Sequence, residues 1–256
     1  MGPKKDRTRN YQTLEASSPS FRLKQRILEH TLAEILPVPV ERAWDAGCGA
    51  GTLSAIVARH TGGELRVTDI EASSVRATVG RLAALSRPAV RGDVFDLERD
   101  EMPPAGFDFV LSWAVLEHLA DDARGMSTLA RALAPGGRMV LNVPLHPRLM
   151  NQLDHLEDHH RRYTRRSLTR LVEDAGLRVV RFRVFGFPGL LATKILWAPF
   201  ARHEAAAARS PWSRLLARGI SSVDFAAYRA GSPFGVEALV VAESAVTPAP
   251  ATRPPS

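Results

Sequence analysis

The sequence predicts an α/β fold, a doubly wound parallel sheet covered by helices on both faces. Short apolar runs alternate with amphipathic ones along most of the chain. A glycine-rich turn with Gly47, Gly49 and Gly51 follows the first apolar run. Acidic residues, Asp45, Asp69 and Asp93, stand at or just beyond the ends of three successive runs. In such a sheet, ligands bind beyond the carboxyl ends of the strands, where strand order reverses.

The elements follow in order. Leu23, Ile27, Leu28, Leu32, Ile35 and Leu36 fall on one face of a helix from Phe21 to Leu36, ended by Pro37 and Pro39. Arg42 to Asp45 forms a strand, and Thr52 to His60 a helix. A strand over Leu65–Asp69, a helix over Ser73–Leu85 and a strand over Pro88–Gly92 come next. Phe107 to Ser112 is a clearer strand. Asp121 or Asp122 caps a helix carrying Met126, Leu129 and Leu133, closed by Pro135-Gly136-Gly137. Arg138 to Val143 is an apolar strand. Thr164 caps a helix that Gly176 stops, and Leu177 to Phe185 is a strand. The pattern lapses over 186–235, apart from helix-like pieces at Glu204–Arg209 and Trp212–Ile220. Val236 to Glu243 is the last strand.

The 256 residues suit one domain, taken as 21–245, with a flexible segment over 1–20 and a disordered tail over 246–256. A lone cysteine, Cys48, forms no internal disulfide and points to a reducing, cytoplasmic setting. The net charge of +7 favours anionic partners without choosing among them. The most apolar segment, Val184 to Phe200, holds two prolines and a lysine, so no transmembrane segment is expected.

The glycine spacing is selective. A dinucleotide fingerprint requires a third glycine where Thr52 stands, and a phosphate loop requires a lysine that does not follow. Asp45 before the loop is unhelpful to a pyrophosphate and suits a ligand carrying cationic groups. Asp69 stands at the separation expected of a ribose-binding acid, and a carboxylate can accept from both ribose hydroxyls.

These motifs resemble, in order, those of the class I S-adenosylmethionine-dependent methyltransferases. Asp45 to Thr52 is similar to their first motif, Val67-Thr68-Asp69-Ile70 to the ribose motif, and Gly92-Asp93-Val94 to the adenine motif. Phe107 to Leu119 and Leu133 to Val140 are similar to the fourth motif and the fifth strand. The resemblance implies a Rossmann-like sheet of seven strands with the last antiparallel, and a helical insertion or acceptor lid over 186–235. It also implies S-adenosylmethionine as methyl donor, contacted by Asp45, Gly47, Cys48, Gly49, Gly51, Asp69, Ile70, Asp93, Val94 and Ser112.

The acceptor side is less legible. Methyl transfer needs alignment and exclusion of water, and a base helps when the acceptor is a hydroxyl or ammonium. Polar groups crowd the segment from His146 to Tyr163. His155 and His159 are the candidate bases, and His146, His160, Arg161 and Tyr163 the candidate substrate contacts, arginine suiting an anionic acceptor. The same run reads equally as a polar loop anchoring the next helix. Its ligand types lack a recognised metal spacing, and no metal is expected. His118 either contacts the donor or caps a helix. Phe187, Leu190, Leu191, Trp197, Phe200, Trp212, Phe225 and Tyr228 line an acceptor pocket, form a homodimer contact or pack on the sheet.

The expected function is methylation of a small-molecule oxygen, with methylation of an amine or peptide nitrogen as the alternative. A non-catalytic donor-binding protein and a nicotinamide oxidoreductase are weaker fits. Nucleic acid is not expected as partner, because no aromatic-interleaved basic module is present.

Overall fold

The computed structural model describes residues 19–245 apart from 37, 86–87, 102–105 and 193–210. Residues 1–18 of the expected flexible start, the tail after Ala245, the piece at Glu204–Arg209, and Trp197 and Phe200 lie outside the described residues, as does the side chain of Trp212; Pro19 and Ser20, expected in the flexible start, already belong to a helix.

Seven strands form one sheet: β1 (Val40–Ala46), β2 (Thr61–Asp69), β3 (Ala89–Val94), β4 (Phe107–Trp113), β5 (Leu133–Pro144), β6 (Leu177–Phe185) and β7 (Glu237–Ser244). Their spatial order is β3-β2-β1-β4-β5-β7-β6. The pairings from β3 across to β5 are parallel, while β7 runs antiparallel to both β5 and β6. Strand order reverses between β1 and β4, which places the ligand crevice beyond their carboxyl ends. This is the Rossmann-like sheet expected, antiparallel last strand included.

The helices are α1 (Pro19–Ile35), α2 (Thr52–Ala58), α3 (Ala72–Leu82), α4 (Asp122–Ala132), α5 (Gln152–Leu156), α6 (Arg165–Asp174) and α7 (Pro211–Arg229). Alternation along the strands sorts side chains onto two cores. Leu239 and Val241 of β7 join a core with Leu23, Ile27, Leu28 and Leu32 of α1 and Ile56 and Val57 of α2. Ala238, Val240 and Ala242 join the opposite core with Met126 and Leu129 of α4 and Leu168 and Val172 of α6. Each fully buried leucine contributes roughly 2 kcal/mol through the water it sheds.

Capping follows local chemistry. Asp121 accepts from the Arg124 N–H at the start of α4, and Thr164 and Ser167 form a reciprocal capping box at the start of α6. Gly176 adopts φ +83° past the end of α6, a conformation that glycine tolerates best.

Several boundaries differ from the sequence expectation, three of them instructively. β2 starts at Thr61, because Gly63 lets the chain lie against β1, where a Cβ would meet the Glu41 carbonyl at 2.6 Å. Pro135-Gly136-Gly137 does not stand outside the sheet; Leu133 already pairs with Phe107, and the register shifts before Phe109 pairs with Arg138. The helix expected over Trp212–Ile220 extends to Arg229. Its later turns pack on α1, where the Tyr228 and Thr31 hydroxyls lie 3.2 Å apart. Buried Asp224 accepts from the Gly189 and Leu190 N–H groups, tying α7 to the segment after β6. Leu190 and Tyr228 belong to the core, and Phe225 packs against it. Among the described residues, no helix is long and apolar enough to cross a membrane.

Candidate active site

The donor half is built on the turn after β1. Gly47, Gly49 and Gly51 have φ of 86°, 51° and 81°, all in the left-handed region. The N–H groups of Gly47 and Cys48 both donate to the Thr68 carbonyl, fastening the turn to β2. A Cβ on Gly47 would lie 2.3 Å from Val115 Cγ2, and one on Gly51 2.8 Å from Thr78 Cα. A Cβ on Gly49 would meet nothing within 4 Å, so the turn offers open space there.

Two strand-end acids fasten this turn. Asp69 accepts from the Gly49 N–H at 3.0 Å and from the Glu71 N–H at 2.9 Å. Burial pushes its pKa up, against those two backbone donors. Asp45 is 2% exposed and accepts from Ser54 Oγ at 2.6 Å. Burial pushes it up to about 7, with the Asp69 charge adding to the rise. A cationic ligand group would restore its ionised form. Burial also pushes the Cys48 thiol up, so it is no nucleophile.

Ile70 and Val94 flank the same crevice and are 63% and 56% exposed. They follow and end adjacent strands, since Asp69 pairs with Val94. An exposed apolar pair beside a ribose-type acid, with open space over Gly49, fits the adenosyl part of the expected donor. Asp93 sits differently: its carboxylate lies 3.0 Å from Arg66 Nε and 3.4 Å from Arg91 Nε. Ser112 is buried within β4, and alternation with Leu111 and Trp113 turns it to the opposite face from α1.

A second group of polar residues begins where β4 ends. Ala114, a non-glycine residue at φ +54°, donates its N–H to the Asn142 carbonyl at 3.0 Å. Such strain persists only where its surroundings hold it, and it collects at functional sites. Leu116–His118 then forms a 3-10 turn. Glu117 is 1% exposed, and its Oε2 makes no hydrogen bond among the described residues. Burial pushes it up to about 7, with Glu237 adding to the rise and His159 opposing it.

Asn142 and Glu237 complete this buried polar set. Asn142 Nδ2 donates to the Ala238 carbonyl at 2.9 Å and reaches Glu237 Oε2 at 3.3 Å. Lys24 of α1 lies 4.0 Å from the same Glu237 oxygen. Antiparallel β7 starts at the edge where β4 and β5 end, and so brings Glu237 there.

The segment after β5 divides sharply. His159 Nδ1 lies 3.1 Å from Asp154 Oδ1, and its ring packs edge-on to His118 with centroids 4.7 Å apart. Arg162, 5% exposed, donates from Nε to Asp154 Oδ2 at 3.0 Å and from Nη1 to the Leu145 carbonyl at 3.1 Å. Burial would raise the Asp154 pKa, but His159 and Arg162 hold its carboxyl well below the usual carboxylate range.

Arg161 and Tyr163 face elsewhere. Arg161 Nη1 pairs with Asp122 Oδ1 at 2.6 Å, and the Tyr163 hydroxyl donates to Asp122 Oδ2 at 2.8 Å. Tyr163 is 3% exposed. Both residues thus dock the segment on the start of α4. His146 Nε2 lies 2.8 Å from the Gly235 carbonyl, while His155 and His160 are exposed.

Of the residues singled out in the sequence, the structure gathers His118 and His159 with Glu117, Asn142 and Glu237. It leaves His155, Arg161 and Tyr163 outside that group. Asn142 and Glu237 left a faint signal: each is a polar residue in, or opening, an otherwise apolar strand.

The chain matches the family described as "Methyltransferase domain" over residues 21–181. It is 34% identical over 125 residues to an uncharacterized methyltransferase of Mycobacterium tuberculosis strain H37Rv, covering 49% of this chain and 61% of that one. It is 35% identical over 104 residues to a ubiquinone biosynthesis O-methyltransferase of Caulobacter sp. strain K31, covering 39% of each. The chain therefore spans between 39% and 61% of the length of these curated relatives. A crystal structure of an S-adenosylmethionine-dependent methyltransferase from Mesorhizobium loti shares the fold, with a TM-score of 0.57 at 20% identity over 83% of this chain and 95% of that one. With its strand order, glycine turn and strand-end acids, the chain belongs to the class I S-adenosylmethionine-dependent methyltransferases, the family whose methyl donor is S-adenosylmethionine.

Proposed function

We propose that this chain transfers a methyl group to an oxygen atom of a small-molecule acceptor. When bound, S-adenosylmethionine supplies an electrophilic methyl on a positively charged sulfur. Asp69 would hold the ribose hydroxyls, Ile70 and Val94 would flank the adenine, and Asp45 would answer the cationic end of the donor. The glycine turn lets the donor lie against the main chain.

The observation carrying the acceptor reading is the Asp154–His159 pair beside Glu117. A hydroxyl is a poor nucleophile until its proton is removed or its O–H bond polarised. His159, oriented by Asp154, and Glu117 are the titratable groups placed for that work at the end of β4. The O-methyltransferase relative supports the same direction. The buried carboxylates Glu117 and Glu237 favour the second reading, an amine acceptor held as a cation before it is methylated.

The test is methyl transfer from isotopically labelled S-adenosylmethionine to matched hydroxyl, carboxyl and amine acceptors, read by mass spectrometry. Label on oxygen supports the proposal. Label on nitrogen alone replaces it with the amine reading, and donor binding without transfer to any acceptor class favours a non-catalytic role.

A further inference from the structure

Three ligand-type side chains converge at the carboxyl end of β4. Glu117 and His118 come from the 3-10 turn, and His159 from the loop after α5, 41 residues on from His118. A carboxylate oxygen of Glu117 and one ring nitrogen of each histidine lie within 4.8 Å of one another. Around a tetrahedral ion with bonds near 2.1 Å, ligand atoms sit about 3.4 Å apart. Closing the remaining gap, at most about 1.4 Å, is within reach of side-chain rotation.

Three further observations point to a cation. The Oε2 of Glu117 is buried and makes no hydrogen bond among the described residues, an arrangement that is costly unless something positive meets it. The ion pairs seen among the described residues take Lys24 to Glu237 and Arg162 to Asp154 rather than to Glu117. Asp154 accepts at His159 Nδ1 and is itself clamped by Arg162, which leaves the Nε2 lone pair to face a ligand. A carboxylate behind an imidazole is the usual way a metal-binding histidine is oriented. Glu157, an exposed side chain with Oε2 3.5 Å from His159 Nε2, is free to swing away or to add an oxygen ligand.

We propose that Glu117, His118 and His159 bind one divalent transition-metal ion of the Zn2+ or Mn2+ kind, leaving a coordination position open to the acceptor oxygen. Two imidazoles and a carboxylate suit such ions better than Mg2+ or Ca2+. The idea rests on the oxygen-acceptor reading for its role in catalysis, though not for binding itself; with the ion bound, His159 serves as its ligand, and the ion rather than the imidazole activates the acceptor hydroxyl. A hydroxyl coordinated there loses its proton to water more readily. Its oxygen then forms the new O–CH3 bond as the S–CH3 bond breaks, and sulfur keeps the electron pair and leaves as a neutral thioether.

The test is calorimetric titration of the untagged, chelator-stripped full chain with ZnCl2 and MnCl2, with S-adenosylhomocysteine titrated in parallel. One equivalent of cation is expected to bind. Glu117→Gln, His118→Gln and His159→Gln should each weaken binding at least about tenfold, and Asp154→Asn about ten- to a hundredfold. S-adenosylhomocysteine binding should stay intact in all four. In the unaltered protein, Co2+ should shift the ring resonances of His118 and His159 specifically, a readout that needs no variant. Failure of the protein to bind either cation stoichiometrically, a site that survives in the His118→Gln/His159→Gln double variant, or unshifted rings would each overturn the proposal. Donor binding without cation binding would remove the metal site and leave the methyltransferase reading standing.

Discussion

The two halves of the crevice are built on different principles. The donor half is local and made largely of backbone: a turn at positive φ, two of its N–H groups on Thr68, and acids at the ends of adjacent strands. The proposed acceptor half is made of side chains drawn from distant segments: buried Glu117, Asn142 and Glu237, and half-buried His159. They meet where Gly47 packs against Val115. A site of backbone angles leaves a contiguous trace in the sequence, whereas one of tertiary juxtaposition leaves scattered single residues.

The sharpest way to break this contrast is on the acceptor side. His159→Ala should lower kcat by roughly a hundred- to a thousandfold, the range for loss of a positioned proton-handling group. Donor binding, measured by calorimetry with S-adenosylhomocysteine, should not change. Loss of both together would mean that the halves are not separable.

On the donor side, Asp69→Ala should raise the S-adenosylhomocysteine Kd by about a hundredfold, because two hydrogen bonds to a charged group are lost. The variant also frees the Gly49 and Glu71 N–H groups. Asp69→Asn, which keeps acceptor capacity at one oxygen, should recover part of the affinity.

A pH effect of intermediate size should separate the halves without mutation. Burial raises Asp45 from 3.8 to about 7 in the folded chain. The stability this confers is present below pH 4 and lost as pH rises through about 7. A cationic donor group favours the ionised form, so donor affinity should fall by up to about tenfold per pH unit as pH drops below 7. Asp45→Asn should flatten both trends, as followed by thermal melts and by calorimetry from pH 5 to 8.

The smallest effect should come from residues that only dock the loop. Tyr163→Phe removes a hydroxyl bonded to Asp122 and should cost about 1 kcal/mol in denaturant unfolding. Turnover should change by less than about threefold, the loop geometry being held by Arg161 and Arg162.

The pattern of legibility follows the same division. The apolar alternation revealed the strands, because residues two apart share a face and one face at a time enters each core. Thr164 was equally plain as a cap, whereas the sequence left Asp121 and Asp122 as alternatives and the structure picks Asp121. Boundaries blurred where glycine let the chain run on, as at Gly63, or where tertiary packing lengthened a helix, as α7 lengthens on α1. At the site, the glycine turn and Asp69 were legible because their spacing is set by one strand-turn-helix unit. His159 could not be told from His155 four residues away, since only the folded loop turns one toward Glu117 and the other to solvent. Arg161 and Tyr163 looked like substrate contacts until the partner they hold, Asp122 at the start of α4, was placed beside them. The antiparallel entry of β7 brings Glu237 into the crevice, a contact no local motif encodes.

Calorimetric titration of the full chain with S-adenosylhomocysteine tests the central claim most directly. One equivalent per chain should bind, with affinity falling about a hundredfold in Asp69→Ala and holding in His159→Ala. No binding by the unaltered chain, or equal loss in both variants, would contradict it.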